Sequence, residues 1–106
     1  MSKLKSIKFK VVGVTFKNDD TGVSRQQIIS QLNKESAVFL VREPNNKYDK
    51  NAVKVMTLLG QVGYVAKDYA EILAEMMDSG RIFQAKIDEV DTYKGNYYIH
   101  IVVDEV

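Results

Sequence analysis

The stretch Arg42-Glu43-Pro44-Asn45-Asn46-Lys47-Tyr48-Asp49-Lys50-Asn51-Ala52-Val53-Lys54-Val55 decides how this chain is read. Ala37-Val38-Phe39-Leu40-Val41 before it, and Val53 and Val55 within its end, have the apolar, β-branched texture of strands. Nine mostly polar residues, 43 to 51, therefore separate two strands. Hairpin loops commonly take about two to five residues, chosen for backbone geometry. This one is longer and holds three asparagines, a tyrosine, an aspartate and two lysines, more chemistry than a turn requires.

On both sides of the loop the pattern is that of a small β protein. Ile7, Phe9 and Val11 alternate with Lys8 and Lys10, and the period of two continues past Gly13 to Val14 and Phe16, which predicts a first strand over that whole stretch. Asn18-Asp19-Asp20-Thr21-Gly22 is a turn cluster, and Ser24 is placed to cap a helix over 25–32 with Ile28, Ile29 and Leu32 on one face. Strands follow over 37–42, 52–58 and 61–65. Asp68-Tyr69-Ala70-Glu71 has capping-box spacing and Ser79-Gly80 a stop, so a helix is expected over 68–79 with Ala70, Leu73, Met76 and Met77 inward. Two longer strands, about 82–92 and 97–104, meet at Lys94-Gly95-Asn96.

The order is β-α-β-β-β-α-β-β. This is a mainly β, α+β class in which hairpin connections imply an antiparallel sheet. Six strands with only two helices to cover edges favour a closed or nearly closed barrel, OB-like or SH3-like. At 106 residues one domain is expected, with its core over about 7–104. Neither a secretory leader nor a spanning apolar run is read, and with no cysteine the cytoplasm is the default location.

The net charge of +1 conceals an asymmetry. Residues 1–54 carry eleven Lys/Arg against five Asp/Glu, and residues 55–106 carry four against nine. Such a split is able to form a basic face for a polyanion. Catalytic constellations are not found: there is no phosphate-binding G-x-x-x-x-G-K-[ST] loop, and His100 is the only histidine. Asp88, Glu89 and Asp91 are read as charges of an exposed strand, and no metal, cofactor or catalytic residue is assigned.

From Val12-Gly13-Val14-Thr15-Phe16, through Ser24-Arg25-Gln26 and the polar loop, to Val62-Gly63-Tyr64-Val65 and the helix with Ala70 and Leu73, the chain resembles the HIRAN domain. That module occurs beside replication-fork remodelling helicases and alone in bacteria and phages; the likeness here is to the stand-alone type. The resemblance implies a modified OB-like barrel that binds single-stranded DNA at a free 3′-hydroxyl end, without catalysis. A helicase or nuclease would act in trans as its partner, in DNA repair or at replication forks, and no membrane is involved.

By the same resemblance Tyr48 offers a ring to the last base and Asp49 accepts from the 3′-hydroxyl while repelling a terminal phosphate. Lys67 meets a phosphate, and Tyr64 occupies a pocket position where some members carry histidine. Pro44, Asn45 and Asn46 are read as loop geometry, and Arg42 with Glu43 as a structural pair. One departure is expected at the first strand. Where helicase-linked members have a basic residue and paired aromatics, Phe9-Lys10-Val11-Val12 has no aromatic pair before Gly13. Lys8 and Lys10, on the polar face of that strand, remain as phosphate contacts, and Tyr93, Tyr97 and Tyr98 as alternative stacking platforms. Two rival readings stand beside this one, a protein-interaction barrel docking a partner enzyme without reading DNA ends, and a nuclease built on Asp88 and Asp91.

Overall fold

The computed structural model describes residues 5–106. Its elements run β1 (Ile7–Lys10), α1 (Arg25–Ile29), β2 (Ala37–Arg42), β3 (Val53–Thr57), β4 (Gly60–Tyr64), α2 (Lys67–Asp78), β5 (Phe83–Tyr93) and β6 (Asn96–Glu105). All pairings are antiparallel, in the sheet order β1-β6-β5-β2-β3-β4. The β5–β6 hairpin turns through Lys94 and Gly95, both at positive φ (49° and 83°), the two-residue geometry whose twist matches that of its strands.

The sheet curls into a half-barrel, and its two edges meet at one residue pair. After Lys10 the chain leaves the β6 ladder with a last bond from Val11 N–H to Ile99 O, and Val12 then pairs with Tyr64 of β4. Val12 N–H donates to Tyr64 O and Tyr64 N–H to Val12 O, each at 2.9 Å. Gly63 makes this seam possible. A Cβ there would run into the Val12 carbonyl oxygen and lie 2.8 Å from Val11 Cγ1, and φ is +157°. Inside the curl pack Val11, Val53, Val55, Val62, Ile99, Ile101 and Val103 from the strands, with Ile29 of α1 and Leu73 of α2 as lids.

Several boundaries differ from the sequence expectation for identifiable reasons. The first strand does not run on to Phe16, because the chain passes from β6 to β4 at Val12 and Gly13, at φ +72°, then turns it out of the sheet. Helix α1 is capped as expected, Ser24 Oγ accepting from Gln27 N, but it ends at Ile29, and the turn to Leu32 closes with the tighter i→i−3 bonds Gln31 N to Ile28 O and Leu32 N to Ile29 O. The capping box at 68–71 is not formed. Ala66, extended at φ −56° and ψ 142°, is the N-cap and supplies no side-chain bond, while Asp68 lies inside the first turn, where its charge suits the positive pole of the helix. Among the described residues no helix is long and apolar enough to cross a membrane.

Candidate nucleic-acid interface

The polar loop after β2 is held by its own side chains. Asn46 Oδ1 accepts from the amides of Tyr48 (2.8 Å) and Asp49 (3.0 Å), while Asn46 Nδ2 donates to Glu43 Oε1 (2.6 Å). Asp49 Oδ1 accepts from Asn51 N at 2.9 Å, a local Asx bond that orients the carboxylate. Arg42 braces the base of the loop by donating to the carbonyls of Ala52 (2.7 Å) and Lys50 (3.0 Å). The sequence is thus built to hold one loop shape, and its length is used.

Arg42 and Glu43, expected to pair with each other, do not. As neighbours on a strand their side chains point to opposite faces. Arg42 forks onto Asp78 at the end of α2 (Nε–Oδ1 2.9 Å, Nη2–Oδ2 3.0 Å), and these bonds raise the guanidinium pKa and lower that of the carboxyl. Glu43 turns the other way, to Tyr64 Oη (2.8 Å), Asn46 and Lys54 (3.6 Å). Burial pushes the Glu43 carboxyl upward, but the bonds from Asn46 and Tyr64 and the charge of Lys54 outweigh it and hold it below the ordinary value of 4.5. Burial, then the bond to Glu43, raises the Tyr64 phenol above its usual 10.0.

Four of the six site residues expected from the sequence meet in one cleft of about 260 Å³. It is walled by Tyr48 and Asp49 from the loop, Tyr64 from the end of β4 and Lys67 from the start of α2, and floored by apolar Val12 and Val65. The cleft lies directly on the seam of the half-barrel. Tyr48 stands 93% exposed, a ring with no partner among the described residues. Lys8 and Lys10 are not in this cleft. They lie on the exposed face of β1, where the Lys10 ammonium sits 4.9 Å over the Tyr98 ring in a groove shared with Asp91, Tyr93 and His100.

One aromatic escaped the sequence reading. Phe16, counted there with the apolar series of a first strand, is 65% exposed and lines a second cleft of about 470 Å³ on the other side of Tyr48 and Tyr64. The positive-φ glycine at 13, just before it, was the available signal that the alternation breaks. Phe9, by contrast, is buried and stacks on Tyr69 of α2 at 5.0 Å, so the one aromatic of the Phe9-Lys10-Val11-Val12 segment belongs to the core. On β5 and β6 the acidic residues are rearranged too. A bulge sets Asp88 out of register, and the group brought within 4.8 Å of one another is Glu89, Asp91 and His100, with His100 Nε2 3.1 Å from Asp91 Oδ2.

Residues 4–103 match the family model described as the HIRAN domain. The chain belongs to the HIRAN domain family. HIRAN domains are DNA-binding modules, and the fold agrees. The crystal structure of the HIRAN domain of human HLTF superposes with a TM-score of 0.72 at 27% identity, covering 97% of this chain and 76% of that one. A Lactobacillus plantarum protein of known structure superposes with a TM-score of 0.71 at 28% identity, over 98% and 95% of the two chains. Among curated proteins, the Helicase-like transcription factor of Oryctolagus cuniculus is 47% identical over 66 residues, 61% of this chain but 6% of that protein. The human Helicase-like transcription factor is 49% identical over 49 residues, 45% of this chain and 5% of its own length. The HIRAN chain described here therefore spans about one-twentieth of the curated relatives it matches.

Proposed function

We propose that this HIRAN domain is a non-catalytic module that binds single-stranded DNA, holds its free 3′-hydroxyl end in the cleft over the barrel seam, and so positions a repair or replication-fork enzyme acting in trans. One observation carries the reading: an aromatic ring and a carboxylate from the polar loop, Tyr48 and Asp49, and an ammonium from the start of α2, Lys67, line one small cleft with an apolar floor. Each group suits one part of a strand terminus. The exposed Tyr48 face takes the last base, a contact of about 1–3 kcal/mol in single-strand grooves. Asp49 uses Oδ1 on the Asn51 amide, leaving its second oxygen to accept from a hydroxyl, and its charge repels a terminal phosphate. Lys67 faces the backbone phosphate, as a point charge without base preference.

The test is an anisotropy titration of matched strands ending in 3′-hydroxyl or 3′-phosphate, at one salt concentration. The parent is expected to prefer the hydroxyl. Asp49→Asn keeps the loop bond through its amide oxygen and loses the charge, so the preference shrinks by about 1 kcal/mol or more while the fold survives, since a charged acceptor is worth roughly 1.5–3 kcal/mol against about 1 for a neutral one. Tyr48→Ala lowers affinity for both ends alike. A parent without end preference would return the loop to a structural connection in a protein-interaction barrel.

A further inference from the structure

Arg25 is a buried cation without an anionic partner. It opens α1, is 8% exposed, and spends its donors on neutral acceptors, Nε to Asn18 Oδ1 at 2.7 Å and Nη1 to the Gly13 carbonyl at 2.8 Å. Its guanidinium carbon lies 5.6 Å from the centre of the Tyr64 ring, a cation–π contact. No described carboxylate is paired with it, and no described residue accepts from Nη2. No described side-chain nitrogen is both buried and unbonded, so Nη2 keeps some contact with solvent, and Arg25 lines both the second cleft and an adjoining one that holds Asp20 and Lys54. Burying an unpaired charge is costly, and buried charges are ordinarily paired.

The second cleft supplies the context. Lys17 and Lys47 line it with Arg25, and Phe16 and Tyr48 add exposed rings. Two carboxylates also line it. Glu43 is committed to Tyr64, Asn46 and Lys54, which leaves exposed Asp19 in this cleft, and Asp20 in the one adjoining Arg25, against the three cations. Tyr48 and Tyr64 wall both clefts, so a strand ended in the first runs past them into the second. A planar guanidinium with a free edge is suited to a phosphate oxygen pair.

We propose that Arg25 is the centre of a second, phosphate-binding subsite, which takes an internal backbone phosphate of the strand whose end lies at Asp49 and Lys67. The proposal rests on the end-binding reading for its ligand and adds where the strand goes next. The test uses short 3′-hydroxyl strands in which one linkage at a time is made neutral as a methylphosphonate. In the parent, one linkage near the end is expected to cost about tenfold in affinity when neutralised, in keeping with a charged hydrogen bond. In Arg25→Gln the same neutralisation should cost less than about twofold, because its partner is already gone.

Arg25 also braces the 13–24 loop, so a parent-only measurement accompanies the variant. The Arg25 side-chain nitrogen resonances are followed by NMR during titration with the strand and, separately, with inorganic phosphate. They should shift on saturation with the strand. Unmoved resonances, a response to inorganic phosphate alone, or no linkage coupled to Arg25 would overturn the subsite. A clear end preference with no such coupling removes Arg25 and leaves the end pocket standing. Coupling without end preference does the reverse.

Discussion

At the scale of single residues, Glu43 joins the wall of the cleft to the polar loop. It ties Tyr64, which walls the cleft, to Asn46, which fixes the amides of Tyr48 and Asp49. Its carboxyl pKa is lower in the fold than in the unfolded chain, so its contribution to stability is present above about pH 4.5 and is lost as pH falls through the folded value. Glu43→Gln is expected to cost about 1–2 kcal/mol at neutral pH, the range for losing a charge-assisted bond that an amide partly replaces. Urea melts at pH 7 and pH 3 check this: the gap between parent and variant should narrow at the lower pH, and a constant gap would mean that the charge of Glu43 is immaterial. None of this web was legible in the sequence, where neighbouring Arg42 and Glu43 read as a pair. That Tyr48, Asp49, Tyr64 and Lys67 share one cleft was legible through the likeness of nearly the whole chain to a known family. Phe16 and Arg25 were hidden, one by a turn that breaks an alternation, the other because only tertiary contacts reveal that a charge is buried.

At the scale of elements, hydrophobic period and turn residues placed all six strands and both helices, with ends within a few residues except for the first strand. What they could not show is where a strand changes partner. The alternation of Ile7, Phe9 and Val11 slips phase before Val14, which is buried like Phe9 and Val11, and within that slip the ladder passes from β6 to β4 at Val12. Gly63 is the residue on which this switch turns. Gly63→Ala would set a Cβ against the Val12 carbonyl, and overpacking against backbone costs about 1–3 kcal/mol or more. A fall in Tm of more than about 10 °C is expected for a domain of this size. A melt unchanged within error would show that the seam yields freely.

At the scale of the whole molecule, the two halves of the chain differ in charge, but the fold distributes the basic half over two surfaces. Lys17, Arg25 and Lys47, joined by Lys67 from the acidic half, surround the paired clefts, while Lys8 and Lys10 ride on the outer face of β1. A strand of about four nucleotides, the lower site size of an OB fold, is expected to bind Lys10→Ala and parent within about twofold, whereas one of about sixteen should lose affinity and show a shallower salt dependence. Equal losses at both lengths would place Lys10 beside the strand terminus. The seam itself has a further consequence in time. Val12 and Tyr64 both close the half-barrel and line the cleft, so any fluctuation that parts them also dismantles the cleft. A bound strand must then act as a latch on local opening. Amide hydrogen exchange at Val12 and Tyr64 should slow by about a hundredfold when free ligand stands at a hundred times its Kd, with less slowing in the Ile87–Ile101 ladder of the far hairpin. Equal slowing in both places would mean that the barrel breathes only as one body.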